Sequence, residues 1–283
     1  VASDDEGSPA AVGSPEVPSC RFCGVVLSCS DSHPGLCANL RRHGMLRSEA
    51  AFAAYSAVDR ADFAPADGDP YADAALLLGA GSQISAPHVH ANALDLLAVA
   101  LEAAGDAGVR RRRALDLGAG SGLMSALIAR LMAAQGGSVL AFEHIEELAQ
   151  RARENISRRH GDLFDAGALE LFADDMRTLA SRPDLVGAFD LVHCGAALAD
   201  ADPWFVDLLR PGGRAVVPLG PTDAPQWLCS VDKLQDGTIE VKRHIRVLYV
   251  PVISASAQRA RGDCWDEVVD RCVENSRALH RSH

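Results

Sequence analysis

No apolar run in this 283-residue chain reaches the ~18 residues that a membrane span requires, so no membrane partner is expected. Basic charge is scarce too: the formal net charge is −11 and the pI is near 5.3. Binding to bare nucleic acid draws on phosphate neutralisation, so this balance argues against a DNA or RNA substrate. The one dense basic run, Arg110 to Arg113, precedes an apolar strand and reads as a solvated loop at the amino edge of a sheet. Cysteine is too thinly spread for a disulfide scaffold. There are eight, and Cys194 and Cys229 sit in apolar runs that suit reduced, buried thiols. Cys20-Arg21-Phe22-Cys23 has the spacing of half a zinc knuckle, but no C-x-x-C or H-x-H partner follows at a usual interval, and no metal is expected. Neither a G-x-S-x-G nucleophile elbow nor an internal repeat is found. What is there is a 48% hydrophobic fraction, enough for a sizeable core. The expectation is a cytoplasmic monomer. Its first residue is Val rather than Met, so a targeting segment lost from a processed form stays open.

Residues 1 to about 35 are rich in Ser, Pro, Gly and Asp and predict a flexible leader. Residues 36–252 carry the patterning of a folded domain. Residues 253–283 form a tail that is partly helical, with Trp265, Val268, Val269 and Cys272 at helical spacing. From Ala38 to Phe63, Leu40, Met45, Phe52, Tyr55 and Val58 recur near a 3.6 period, as a helical extension ahead of the sheet. A loop to Ile84 follows, then a helix from about His88 to Ala103. Strands are expected at Ala114–Leu117, Ser138–Glu143, Ala168–Ala173, Phe189–Cys194 and Arg214–Leu219, with helices at Gly122–Ala134, Ile145–Arg159 and Trp204–Leu209. This alternation predicts an α/β fold with a mostly parallel central sheet covered on both faces. Two last strands, Trp227–Lys233 and Ile239–Val250, flank Asp236-Gly237, a strong hairpin signal.

The most informative stretch is Leu115-Asp116-Leu117-Gly118-Ala119-Gly120-Ser121-Gly122, a strand, a glycine turn and then a helix. Glycines here let the backbone approach a ligand and adopt positive φ. The spacing is G-x-G-x-G, not the G-x-G-x-x-G of dinucleotide folds. Asp116 and Glu143 fall at the carboxyl ends of neighbouring parallel strands, where open α/β sheets bind ligands. The whole resembles the cofactor loop of S-adenosylmethionine-dependent methyltransferases, a Rossmann-like class I fold. Acids around such a cofactor favour its sulfonium charge.

Upstream, Gln83-Ile84-Ser85-Ala86-Pro87-His88-Val89-His90 leaves several readings open. They are a nucleophilic Ser with a His base, a weak metal pair from His88 and His90, and helix capping by Ser85 with Pro87 in the first turn. Here a more specific resemblance enters. "VDRADFAP", "PYADAALLLG", "QISAPHVHANALDLL", "LDLGAGSG", "FEHIEEL", "HCGAAL", "LLRPGGRAVVPLG", "DKLQDGTIEVK" and "LYVPV" occur in the order found in protein-L-isoaspartate O-methyltransferases. The similarity covers about Ser32 to Val252.

The resemblance implies a repair enzyme that moves a methyl group from S-adenosyl-L-methionine to the stray α-carboxylate of L-isoaspartyl residues, leaving S-adenosyl-L-homocysteine. Its partners would be isoaspartyl proteins and peptides. The acceptor is already ionised at neutral pH, so placement and desolvation matter more than a strong base. By the same resemblance Ser85 is catalytic and orients the substrate carboxylate. His88, His193 and Gly195 would position the substrate. Cofactor contacts would come from Ile84, Ser85, Ala86, Pro87, His90, Asp116, Gly118, Gly120, Ser121, Glu143, His144, Asp175, Met176, Arg177 and Gln226. Glu143 would take the ribose hydroxyls and Asp175 the adenine amino group. The chain departs from the family's G-D-G-R at Asp174-Asp175-Met176-Arg177, and from its G-P-x-G-G-x-Q at Gly220 to Gln226. A non-catalytic adaptor for the cofactor or for isoaspartyl chains, or another carboxyl or small-molecule methyltransferase on the same scaffold, stays open.

Overall fold

The computed structural model describes residues 28–105, 110–222 and 224–261. The Cys20/Cys23 pair and the Trp265–Cys272 pattern lie outside these residues. Among the described residues, no helix is long and apolar enough to cross a membrane, and no group of three or more His, Cys, Asp or Glu side chains could hold a metal ion.

Helix α1 (His33–Arg42) begins inside the stretch expected to be a flexible leader, with the Ser32 hydroxyl accepting from the Gly35 N–H. Earlier still, the buried Ser28 N–H donates to Asp73 at 2.8 Å. The single helical pattern from Ala38 to Phe63 is three pieces: α1, α2 (Glu49–Ser56) and a 3-10 turn at Arg60–Asp62. Gly44, at φ +74, ends the first piece, as glycine does in a left-handed helix terminus. Ser48 and Asp59 cap the next two through their side chains. The stretch to Ile84, expected as a loop, closes as a short antiparallel hairpin, β1 (Leu76–Gly79) with β2 (Ser82–Ile84). It leads into α3 (Pro87–Ala103), which starts on proline at its first position.

The βα alternation follows as expected: β3 (Arg113–Leu117), α4 (Leu123–Ala133), β4 (Ser138–Glu143), α5 (Glu146–His160), α6 (Asp162–Asp165), β5 (Leu169–Ala173) and β6 (Phe189–Cys194). The helix expected to run to Leu209 is one turn, α7 (Pro203–Val206), and β7 (Leu209–Leu219) begins five residues earlier than expected. Its pairing with β6 slips between Phe189↔Leu209 and Leu191↔Arg214, so Arg210–Gly213 bulge out of the ladder. β8 (Gln226–Lys233) and β9 (Ile239–Val247) run antiparallel, joined at Gly237 (φ +88) and by the Thr238 N–H bonding Asp236. The tail adds α8 (Ala255–Arg261).

The seven-stranded order is β5-β4-β3-β6-β7-β8-β9, parallel from β5 through β7 and antiparallel beyond. Strand order reverses at β3, between β4 and β6, so a crevice opens there at the carboxyl ends. Side chains alternate between two cores. Ala114, Leu191 and Val216 pack with helices α1 to α5, whereas Leu115, Leu117, Val192, Cys194 and Val217 pack with Leu185 and Phe205. Asp116 and His193 are register partners on neighbouring strands and point to the first of these faces.

Candidate active site

Three strand ends converge at the switch point, and backbone hydrogen bonds weld them together. The Gly118 and Ala119 N–H groups both donate to the Phe142 carbonyl, at 2.8 and 3.0 Å. The Gly195 N–H donates to Leu117 at 2.7 Å. A Cβ on Gly195 would stand 2.7 Å from the Gly118 carbonyl oxygen, so only glycine lets these turns lie so close. Gly122, at φ +87, turns the loop into α4 against Ala152 and Ile156 of α5.

Glu143 ties this frame to the crevice. Its two oxygens accept from the Gly120 and Ile145 N–H groups, each at 2.9 Å. Burial pushes its carboxyl above the usual range, while the two N–H donors pull it back. Beneath the loop, Asp116 is fully buried. It accepts from the Ser125 hydroxyl at 2.5 Å and pairs with His193 Nδ1 at 2.7 Å. That pairing fixes the imidazole and leaves His193 Nε2 facing the cavity.

A cavity lies over these turns. Of the residues expected from the sequence, Ile84, Ser85, His90, Gly118, Gly120, Ser121, Glu143, His144, Met176, His193 and Gly195 line it. Three polar atoms of the lining are buried without a protein partner: His90 Nδ1, His144 Nε2 and His193 Nε2. Buried polar atoms are normally paired, so such a cluster marks a ligand site. His90 is held neutral well below its ordinary value, by burial first and then by the charges of Arg60, His193 and His88. Burial pushes the Tyr249 phenol up to about 12, the neighbouring Ser85 hydroxyl acting in the other direction. Burial likewise drives the Cys194 thiol up to about 12, so it supplies no thiolate nucleophile at neutral pH.

Seven expected residues lie away from the lining. Ala86, not Ser85, is the N-cap of α3, and it makes no side-chain capping bond. Pro87 is the first helical residue. His88 turns into the protein, where Asp73 takes both its N–H, at 3.0 Å, and its Nδ1, at 2.8 Å. Asp116 sits one layer below the cavity. Asp175 is engaged by Arg177 through Nε, Nη2 and the backbone N–H, and this contact holds its carboxyl below the usual range. Gln226 is buried beneath the roof. Its amide donates to Pro221 and Ala224, and its oxygen accepts from the Tyr249 N–H.

The roof was not foreseen as lining. Tyr249 to Val252 cross the cavity, pinned because the Ala197 N–H donates to Val250 at 2.7 Å and the Val252 N–H to Ala197 at 2.9 Å. Ser82 and Gln83 of the β1–β2 hairpin, Ala119, Met124, Ala196 and Gln258 of α8 complete it. "LYVPV" was the available signal for Tyr249; Gln258 carries none.

The sheet order, the glycine turn and the acid closing β4 define a class I S-adenosylmethionine-dependent methyltransferase fold. A family model described as protein-L-isoaspartate(D-aspartate) O-methyltransferase matches residues 31–257. A wheat (Triticum aestivum) protein-L-isoaspartate O-methyltransferase is 35% identical over 220 residues, 77% of this chain and 90% of that one. A Caenorhabditis elegans enzyme of the same name is 34% identical, over 78% and 92%. Among solved structures, a Plasmodium falciparum chain described under that name, in complex with S-adenosyl-L-homocysteine, superposes with a TM-score of 0.69. It shares 26% identity, over 79% of this chain and 99% of that one. The chain belongs to the protein-L-isoaspartate(D-aspartate) O-methyltransferase family.

Proposed function

We propose that this protein, acting as a cytoplasmic monomer, transfers methyl groups from S-adenosyl-L-methionine to the α-carboxyl of L-isoaspartyl residues in damaged proteins and peptides. The observation that carries this reading is the set of three unpartnered buried histidine nitrogens around one cavity, with Ser85 and Tyr249 in its lining. When bound, the cofactor supplies a methyl group already activated on a sulfonium. The chain's residues then have to bind, align and dry the reactants.

At the end of β4, Glu143 would accept hydrogen bonds from the ribose hydroxyls, and Gly118, Gly120 and Ser121 would present backbone to the cofactor's amino-acid end. Asp116 acts from below by holding His193 and Ser125 of α4. Asp175, whose oxygens already bond Arg177, would take the adenine amino group, and Met176 would pack the ring. Ser85 donates its hydroxyl to the substrate carboxylate. His193 Nε2 and the backbone at Gly195 hold the isoaspartyl main chain. His90, kept neutral, accepts or donates one hydrogen bond without adding charge. His88 fixes the start of α3 through Asp73, so its effect on substrate passes through Ser85. No residue need remove a proton, because the acceptor is a carboxylate. In-line placement can then contribute about 7–11 kcal/mol.

The test is transfer of labelled methyl to an isoaspartyl peptide beside its normal-aspartyl twin. Labelling of the isoaspartyl peptide alone is expected. Cofactor binding without transfer to it would sink the reading and favour an adaptor.

A further inference from the structure

Arg60 is a cation that this mechanism leaves unused. It lies in "VDRADFAP", in the 3-10 turn behind the Ser85 loop, and it is 0% exposed. Its Nη1 donates to the Ser85 carbonyl at 2.8 Å and its Nη2 to the Ala74 carbonyl at 3.1 Å. Its Nε has no partner. Among the described residues, no carboxylate forms a salt bridge with it. Asp73, which acts on it at longer range, is bonded to the Ser28 N–H and to both nitrogens of His88 that face it. The nearby Tyr55 phenol is neutral, pushed by burial above its ordinary value. Burial lowers the guanidinium only to about 10, so it remains charged at neutral pH. A fully buried charge without an ion-pair partner is costly.

The buried acids Asp116 and Glu143 lie under the glycine turn; the buried cation lies behind Ser85, with Asp73 beside it spent on Ser28 and His88. We propose that Arg60 is a positioning and specificity residue for the methyl acceptor: it fixes the Ser85 backbone, and its charge favours a carboxylate over a neutral carboxamide on the Ser85 side. The inference rests on the assignment of Ser85 to the acceptor. A purely structural arginine would weaken every peptide alike. A charge acting on the acceptor changes the ratio between an anionic peptide and its neutral twin.

The experiment uses the full chain as wild type, Arg60→Met and Arg60→Lys. KM and kcat are measured for an isoaspartyl peptide, and Ki for the same peptide bearing an isoasparagine carboxamide. Wild type should hold the carboxamide at least about tenfold more weakly than the carboxylate, the scale of one charge-assisted hydrogen bond. Arg60→Met should raise KM about tenfold or more and cut that discrimination to about threefold or less, with Kd for S-adenosyl-L-homocysteine within about twofold of wild type. Arg60→Lys, which keeps the charge, should recover most of the discrimination. An unchanged ratio in Arg60→Met, or a lysine variant no better than methionine, overturns the proposal. Should Arg60→Met not fold, wild type remains decisive: equal affinity for the two twins overturns it as well. Loss of methyl transfer in wild type itself would instead defeat the underlying functional reading.

Discussion

Glu143 joins two turns through its carboxylate. Both oxygens already take one N–H, from Gly120 on one loop and Ile145 on the next. Each keeps a free lone pair for a ligand hydroxyl. Truncation removes the acceptor of two backbone donors as well as the ribose contact. Glu143→Ala is therefore expected to weaken S-adenosyl-L-homocysteine binding by about 1–3 kcal/mol, the cost of a lost buried polar partner. Calorimetry would measure it, and unchanged affinity would remove Glu143 from the cofactor site. Asp116 differs in kind. Its two oxygens face Ser125 and His193, so its loss should appear first in stability and in the setting of His193. From the sequence, both acids stood at strand ends and both counted as cofactor contacts, Glu143 for the ribose hydroxyls. Register separates them: Asp116 lies within β3 opposite His193, whereas Glu143 is the last residue of β4.

At the level of elements, the parallel strands were legible because both their faces are buried. They read as short apolar runs punctuated by glycine and acids, as at Ser138–Glu143 and Phe189–Cys194. The amino-terminal helices were harder, since three pieces keep one apolar phase across their breaks. Gly44 and Ser48 held the information that divided α1 from α2. The roof was least legible, because its residues reach the site by tertiary contact. The return from β9 and the docking of α8 bring Gln258 to the cavity, 178 positions from its partner Ala80. Gln258 Nε2 donates to the Ala80 carbonyl at 3.3 Å, joining α8 to the β1–β2 hairpin. Alongside, Arg259 bridges to Glu147 on α5 with two hydrogen bonds. α8 thus spans the edge of the site between two elements that flank it. Gln258→Ala should raise the dissociation rate of S-adenosyl-L-homocysteine by about two- to tenfold, the worth of one net hydrogen bond, with little change in its association rate. Stopped-flow fluorescence would read both rates, and an unchanged dissociation rate would mean that α8 does not retain the cofactor.

The whole molecule carries a pH dependence set by where its histidines lie. His90, His160 and His244 all have values lowered from 6.5, burial being the first cause in each. A histidine with a depressed folded value binds its proton more readily when unfolded. Its contribution to stability is therefore complete above the unfolded value near 6.5 and is lost as pH falls through the folded one. Glu143 has the opposite sign. Its raised value means the folded state holds the extra proton, so its contribution is complete at low pH and fades as pH rises from the ordinary carboxylate range. The histidines act in the window just below pH 6.5, and Glu143, whose contribution fades upward from the ordinary carboxylate range, works against them. Urea unfolding midpoints should fall between pH 7.5 and about 5.5, with a slope of at most about 1.4 kcal/mol per pH unit for each proton taken up on unfolding. His160 is a clean probe because it lies between Arg130 and the ring of Phe63, away from the cavity. His160→Gln should flatten the slope while leaving methyl transfer at pH 7.5 within about twofold of wild type, as expected for a site distant from the reacting groups. A midpoint that stays level or rises on acidification through this window would show that the buried histidines do not set the acid limit of the fold.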